Sequence, residues 1–344
     1  MFRTSAATIF LLLAAVAPHA NLVAQDGPYK VLATTNVGGE GGYDYVTADP
    51  VGRRLYIARS GPAGHLSVFN LDTLAPTGNI PKVNAHGAIV DPKTGHGFAA
   101  SKPVVMFDAK SLAVIKTIDV QGNPDGYLFD AFNRRVYILS HTAPNVTVID
   151  PEDGAILGTI DLGGEPEQAV ADGKGHLYID LEDKDSIAVV DAATMKMTGK
   201  YDVSSKGGGC AGLAMDTNNG ILFATCRDKS NMIILSAKDG HILDSLPTGK
   251  GSDGATFNPD TMEAFSTQGD GTLTIVKENS PTSFVVEQTV KTPLRARTLT
   301  LDPRTGKIFT ISAAFGAAPP LAPGQRYASA PMVPDTFQII TVGK

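Results

Sequence analysis

Six polar or ionic side chains recur at intervals near 42 residues, and their types suit metal or anion binding. They are Asp44, His86, Asp125, Glu167, Asp253 and Arg297, and Ala211 fills the one remaining place in the series. The imidazole and carboxylates of His86, Asp125 and Glu167 suit a divalent transition metal, whereas carboxylates with carbonyl and water oxygens suit Ca²⁺. Arg297 falls between two acids, so it either binds an anionic substrate group or neutralises them. The alternative without a ligand is a water-filled channel whose charges pair internally.

Crowding of four carboxylates around one arginine also has an electrostatic consequence. Like charges at short range oppose ionisation, so at least one of these acids should have a raised pKa.

Each of the six residues, and likewise Ala211, directly precedes a short apolar segment, and five residues after each one comes an Asp or Asn. These seven positions are Asp49, Asp91, Asp130, Asp172, Asp216, Asn258 and Asp302. The sequences Asp-Pro-Lys-Thr-Gly at 91–95 and Asp-Pro-Arg-Thr-Gly at 302–306 are typical of turns. We therefore interpret the seven Asp/Asn residues as turn formers, not as ligands.

Residues 125–166 contain one complete copy of the repeat. Four short runs rich in β-branched and aromatic residues are separated by Asn, Asp, Gly and Pro, which predicts an antiparallel meander of four strands. Seven copies predict an all-β fold, a seven-bladed β-propeller with four antiparallel strands per blade, over residues 25–344. The segment 29–37 resembles a fourth strand, and 337–342 resembles a third. We therefore expect the N-terminal strand to complete the last blade.

The motifs resemble those of the YVTN-type, or YncE-like, β-propeller repeat family. The resemblance is carried by Asp-Gly-Tyr-Leu-Phe-Asp at 125–130, Val-Thr-Val-Ile-Asp at 146–150 and Leu-Thr-Leu-Asp-Pro-Arg-Thr-Gly at 299–306. Gly-Asp-Gly-Thr-Leu-Thr-Ile-Val at 269–276 and Pro-Met-Val-Pro at 331–334 look like an exported bacterial subgroup. The resemblance implies export and a ligand-facing funnel. Related propellers include lactonase-like hydrolases.

Residues 1–24 are typical of a signal peptide, with Arg3 before a short apolar run and cleavage after Ala20 or Ala24. We expect a periplasmic or secreted protein without a membrane span. In such a compartment Cys210 and Cys226 are expected to form a disulfide. A hairpin turn at 217–220 places Cys210 opposite Arg227, so direct pairing requires a one-residue bulge. The alternatives are two buried small hydrophobic side chains or, least favoured, a metal pair.

The Pro-rich loop 313–335 joins the second and third strands of the last blade, on the face where the six residues lie. It therefore predicts a lid over the channel mouth, with Phe315, Arg326, Tyr327 and Met332 as its contacts. The alternative is a packed surface loop without a ligand.

Composition restricts the function further. The net charge is −6 and there is no run of Lys and Arg, so nucleic-acid binding is not favoured. The sequence contains no Cys-x-x-Cys-His, Gly-x-Ser-x-Gly or phosphate-loop motif. We expect a monomeric propeller that binds a small molecule or protein at its polar mouth. The alternatives are a metal-dependent, lactonase-like hydrolase that carries a divalent cation, and a structural propeller without catalysis.

Overall fold

The chain forms seven four-stranded antiparallel sheets that follow one another as the blades of a β-propeller. The computed structural model describes residues 26–320 and 330–344. The predicted signal peptide lies outside the described residues. The prediction of seven blades is confirmed.

The strands of the first three blades follow a short N-terminal strand, β1. Their bounds are β1 Lys30–Asn36; β2 Gly42–Asp49, β3 Arg54–Ser60, β4 His65–Asn70 and β5 Pro76–Pro81 in blade 1; β6 Ala88–Val90, β7 His96–Ala99, β8 Val104–Asp108 and β9 Val114–Ile118 in blade 2; β10 Pro124–Asp130, β11 Arg135–Ser140, β12 Val146–Ile149 and β13 Ile156–Ile160 in blade 3.

The remaining four blades continue the same pattern, with one turn of 3₁₀-helix at Glu182–Lys184. Their strands are β14 Pro166–Ala171, β15 His176–Leu181, β16 Ser186–Asp191 and β17 Lys196–Asp202 in blade 4; β18 Cys210–Asp216, β19 Ile221–Cys226, β20 Asn231–Ser236 and β21 Ile242–Pro247 in blade 5; β22 Ser252–Asn258, β23 Glu263–Gln268, β24 Thr272–Ser280 and β25 Ser283–Lys291 in blade 6; β26 Leu299–Asp302, β27 Lys307–Ser312 and β28 Gln338–Gly343 in blade 7.

The apolar core lies between the blades. The described residues form seven buried hydrophobic clusters, each built from two neighbouring blades. The second and third strands of each blade are buried almost throughout, whereas the fourth strands alternate or face solvent. Each blade therefore buries both faces of its middle strands against its neighbours, which stabilises the ring as a whole.

The N-terminal strand closes the ring as predicted. β1 pairs antiparallel with β28, in register from Lys30 opposite Gly343 to Asn36 opposite Gln338. Blades 1 and 7 are also joined at the turns that follow their first strands. There the Arg53 guanidinium of blade 1 donates to both carboxylate oxygens of Asp302 in blade 7, at 2.8 Å each. With β1 paired to β28, the last blade has four strands like the other six, and the outer edge of β28 is covered.

The Asp and Asn residues that end the first strands act as turn formers. The Asp49 carboxylate accepts hydrogen bonds from the backbone N–H groups of Val51 and Gly52. Asp91 and Asp302 do the same in their own turns. These side chains lie at the far ends of the inner strands from the predicted mouth, so their structural interpretation is confirmed.

Cys210 and Cys226 form a disulfide. The two cysteines are direct register partners, and the pairing of β18 with β19 shifts between Cys210 and Gly212. That shift is the one-residue bulge required by the sequence. No helix within the described ranges has the length and apolar character needed to cross a membrane.

Candidate functional site

Eight ionisable side chains form a closed ring at one mouth of the propeller. In order of contact they are Asp44, His86, Asp125, His141, Glu167, Arg227, Asp253 and Arg297, with Arg297 returning to Asp44. Acids and bases alternate all the way round. All six residues predicted from the repeat are members, and they come from six different blades.

β-Bulges position four of the eight ring side chains, those of Asp44, Asp125, Glu167 and Asp253. In blades 1, 3, 4, 5 and 6 the pairing of the first strand with the second shifts register at the residue of the 42-residue series, which in blade 5 is Ala211. The shift between Pro124 and Tyr127, for example, contains Asp125. A bulge frees a residue from the regular ladder and turns its side chain out of the sheet. In blades 2 and 7 the ring residue precedes the first strand altogether.

Small residues allow the inner strands to approach one another closely at the ring. A Cβ atom on Gly126 would overlap the carbonyl oxygen of Glu167, and one on Gly87 would overlap the ring of Tyr127. Each glycine directly follows a ring residue, Asp125 and His86 respectively. The absence of a side chain there lets neighbouring blades bring their ionisable groups into contact.

Two histidines surround Asp125. His86 Nδ1 lies 2.6 Å from Asp44 Oδ2 and 2.8 Å from Asp125 Oδ1. His141 Nε2 lies 2.9 Å from Asp125 Oδ2 and 3.8 Å from Glu167 Oε1. The adjacent carboxylates, Asp125 first, raise the pKa of His86 to about 10 and that of His141 to about 9. Burial alone would raise the pKa of Asp125, but the two imidazoles hold it below its ordinary value.

Two arginines complete the other half of the ring. Arg227 contacts Asp253, lies 3.6 Å from Glu167 and donates to Glu182 at 2.5 Å. Arg297 Nε lies 2.9 Å from Asp253 Oδ2, and its Nη2 is 3.8 Å from Asp44 Oδ1. The Arg227 guanidinium therefore contacts three acids, and Arg297 pairs with Asp253 and Asp44 as the sequence order suggested.

Among the four acids of the ring, Glu167 is the one whose pKa is raised most clearly. Burial, followed by the charges of Asp253 and Asp125, raises the pKa of Glu167 to about 8. Burial also raises the pKa of Asp44. The raised pKa predicted from crowding of the acids is found at Glu167, but burial contributes more to it than the neighbouring charges do.

Two tyrosines, Tyr45 and Tyr127, line a small cavity of about 150 Å³ beneath the ring. Tyr45 donates its hydroxyl to Glu167 Oε2 at 3.0 Å and packs edge to face against Tyr127, with centroids 5.8 Å apart. Gln168 spans the inner strands and bonds the backbone of Leu213 and Ala255. Tyr45 and Gln168 therefore support the ring residues from the inner side.

A cavity of about 740 Å³ opens at the mouth between blades 7 and 1. Its lining includes Tyr43, Phe315 and Met332 together with two basic residues, Arg295 and Arg297, and one acidic residue, Glu40. Arg295 stacks on the Phe315 ring at 3.8 Å. Within the described ranges, Arg295 forms no ion pair with an acid.

Two of the four predicted lid residues line this cavity. Phe315 and Met332 pair as an isolated β-bridge that ties the two ends of the loop together. Arg326 and Tyr327 lie outside the described residues. The lid therefore remains a prediction.

The ring contains two members that the repeat series did not provide, His141 and Arg227. Each is the first residue after a second strand, and each backbone N–H bonds back to the connection before the first strand, at Asn123 and Gly209 respectively. Each also lies 16 residues after a ring position, counted from Asp125 and Ala211. A second series counted at that offset contains both, but it also contains Lys102 and Asp183, which are not members of the ring.

The ring offers two groups of ligand atoms for a cation. One is Asp44, His86 and Asp125, and the other is Asp125, His141 and Glu167. The predicted metal set, His86, Asp125 and Glu167, is divided between these two groups, with Asp125 in common.

Comparison with known proteins identifies the fold alone. No protein-family model matches the chain, and no curated protein matches it in sequence. Among solved structures, a mitotic checkpoint complex contains a chain that is 12% identical, with a TM-score of 0.68 over 88% of this chain and 95% of that one. A chain of hydrazine synthase from Kuenenia stuttgartiensis is 15% identical, with a TM-score of 0.66 over 86% and 95%. This protein is similar to both in its seven-bladed architecture.

Proposed function

We propose that this protein binds a small organic anion in the cavity between blades 7 and 1. The observation that carries the proposal is the pairing of aromatic walls, Tyr43 and Phe315, with the guanidinium groups of Arg295 and Arg297 in one pocket. A concave, largely apolar pocket with few convergent polar groups is typical of small-molecule sites. Planar guanidinium groups match the geometry of a carboxylate.

Arg295 is the group that would bind the anion directly. Arg297 already lies 2.9 Å from Asp253, so much of its charge is compensated. The Arg295 guanidinium stacks on Phe315 instead, which orients it without neutralising it. The ring of ion pairs by itself fits the structural alternative, in which the charges only stabilise one another. That alternative gives no role to Arg295 or to the cavity, so we favour binding.

The test is a thermal-shift and calorimetric screen with benzoate, phenylacetate and hexanoate. We expect at least one aromatic carboxylate to bind, and Arg295→Gln to weaken it by about tenfold or more through loss of a charge-assisted hydrogen bond. Arg304→Gln is the matched control, because Arg304 is an exposed arginine in a turn on the opposite face. No binding to the wild type, or equal binding by Arg295→Gln, would reject the proposal.

A metal-dependent hydrolase is the second candidate. It is favoured by the two histidine–carboxylate groups, which are linked to the cavity through the contact of Arg297 with Asp44. This candidate predicts hydrolysis of lactones or p-nitrophenyl esters that is lost on chelation and restored by a divalent metal. Activity that is indifferent to chelator would remove it.

Membership of the YVTN-type family and export are part of the same proposal. Family membership rests on the motif resemblance. Export rests on the signal-like residues 1–24 together with the disulfide, which is typical of oxidising compartments. Edman or mass-spectrometric analysis of the exported protein should find a new N-terminus after Ala20 or Ala24.

A further inference from the structure

We infer that the histidine half of the ring is a binding site for two divalent transition-metal ions, with Asp125 as the bridging ligand. The ligands are Asp44, His86 and one Asp125 oxygen for the first ion, and the other Asp125 oxygen, His141 and Glu167 for the second. The inference does not depend on anion binding at Arg295. It rests on the second candidate function, the metal-dependent hydrolase, and deepens it by stating the number of ions and the bridging ligand.

The first observation is the close approach of the ligand atoms within each group. His86 Nδ1 lies 2.6 Å from Asp44 Oδ2 and 2.8 Å from Asp125 Oδ1, so one ring nitrogen faces two carboxylate oxygens. Asp125 Oδ1 and His141 Nε2 are both buried, and within the described residues each meets only an ion-pair partner, at 2.8 and 2.9 Å, without regular hydrogen-bond geometry. Asp125 itself is only 6% exposed. Ligand atoms that share one metal at about 2.0–2.2 Å lie roughly 3 Å apart. The distances from each histidine to its carboxylates are 2.6 and 2.8 Å in the first group and 2.9 and 3.8 Å in the second, so small side-chain shifts would admit an ion.

The second observation is the symmetry of Asp125. Its Oδ1 faces His86 and its Oδ2 faces His141, at 2.8 and 2.9 Å. Each oxygen therefore belongs to a different group of three ligands. A carboxylate that presents its two oxygens to two separate imidazole–carboxylate pairs has the form of a bridge between two metals, as in two-metal hydrolytic sites.

The second ion would have an ordered outer shell. Glu167 presents Oε1 towards His141, while its Oε2 accepts a hydrogen bond from the Tyr45 hydroxyl at 3.0 Å. Such outer partners fix the orientation of a ligating carboxylate and are typical of metal sites. The His86 group is more open, since 42% of the His86 side chain is exposed, which leaves room for water or substrate as a further ligand.

The donor set selects the class of metal. One imidazole and two carboxylates per ion suit Zn²⁺, Mn²⁺ or Co²⁺, and neither group offers the six to eight oxygens that Ca²⁺ prefers. We therefore use Zn²⁺ for affinity and Co²⁺ for spectroscopy.

The experiment uses the purified mature protein, stripped with EDTA and dialysed. We expect two equivalents of Zn²⁺ by calorimetry and by elemental analysis, and a Co²⁺ visible spectrum that develops over two equivalents. His86→Ala and His141→Ala should each retain one equivalent, with the lost site weakened at least about tenfold, and Asp125→Ala should lose both. His241→Ala, an exposed histidine outside the ring, is the matched control and should bind like the wild type.

Circular dichroism and thermal unfolding establish that each variant is folded. If Asp125→Ala fails to fold, the two histidine variants still decide the matter. Wild-type protein that binds no Zn²⁺ would overturn the inference. A stoichiometry of one would overturn the bridged pair, and so would two equivalents that survive both histidine substitutions.

Discussion

Glu278 provides a test of the electrostatics that is independent of the ring. Its side chain is 2% exposed on β24, and Oε1 accepts a hydrogen bond from Asn219 Nδ2 at 2.7 Å. Oε2 is buried without a hydrogen-bond partner in the described part of the chain. Burial, opposed by the Asn219 hydrogen bond and assisted by the nearby Asp216 charge, raises the pKa of Glu278 to about 7. The folded protein therefore keeps a proton on Glu278 at mildly acidic pH that the unfolded chain releases.

The sign and size of the effect follow from linkage. Below pH 4.5 both states carry the proton, so Glu278 has no influence on stability there. Between pH 4.5 and about 7 only the folded state holds it, so the free energy of unfolding falls as the pH rises. At 1.36 kcal/mol for each pH unit, the total loss has an upper bound of about 3 kcal/mol. The full loss persists above pH 7.

Glu278→Gln removes this loss, because glutamine keeps the acceptor for Asn219 and cannot ionise. We expect the variant to match the wild type near pH 4.5 and to be more stable by up to about 3 kcal/mol at pH 8. Urea unfolding followed by far-UV circular dichroism is the assay, since the protein has no tryptophan. Glu165→Gln, at an exposed glutamate, is the control and should leave the pH profile unchanged. Parallel profiles for the wild type and Glu278→Gln would refute the reasoning.

Three further predictions concern stability. Arg53→Ala should cost about 3 kcal/mol in urea unfolding, because it leaves the buried Asp302 carboxylate without its bidentate partner; a loss below 1 kcal/mol would contradict this. Replacing Cys210 and Cys226 together by alanine should cost about 3 kcal/mol through the entropy of a loop of 16 residues, and an unchanged urea midpoint would argue against it. Deleting β1 should lower the thermal midpoint and produce concentration-dependent aggregation in size-exclusion chromatography, because β28 then becomes an open edge; a monodisperse, equally stable deletion variant would exclude a role in closure.

The repeat register predicted the blades and the convergence of six ring residues, because both follow from periodic sequence. The period fixes where every first strand begins, and blades around one axis bring equivalent positions together. The same reasoning did not reach His141 and Arg227, which follow second strands. The position directly after the second strand contributes an ionic side chain to the ring only in blades 3 and 5. No run of similar residues at that position therefore distinguished His141 and Arg227. Which oxygen of Asp125 faces which imidazole depends on bulge geometry and could not be read from spacing.

The disulfide connects the stability of the fold to the ring. Blade 5 is the only blade whose repeat position holds an uncharged side chain, Ala211, and the ring is completed there by Arg227. Cys210 and Cys226 directly precede these two residues and are register partners at the bulge. The covalent link therefore holds together the two strand ends from which Arg227 reaches Glu167 and Asp253, at the point where ladder pairing shifts. The disulfide thus bridges the bulge at which regular pairing is lost in blade 5. It thereby holds Arg227, the ionic side chain that blade 5 contributes to the ring, in position.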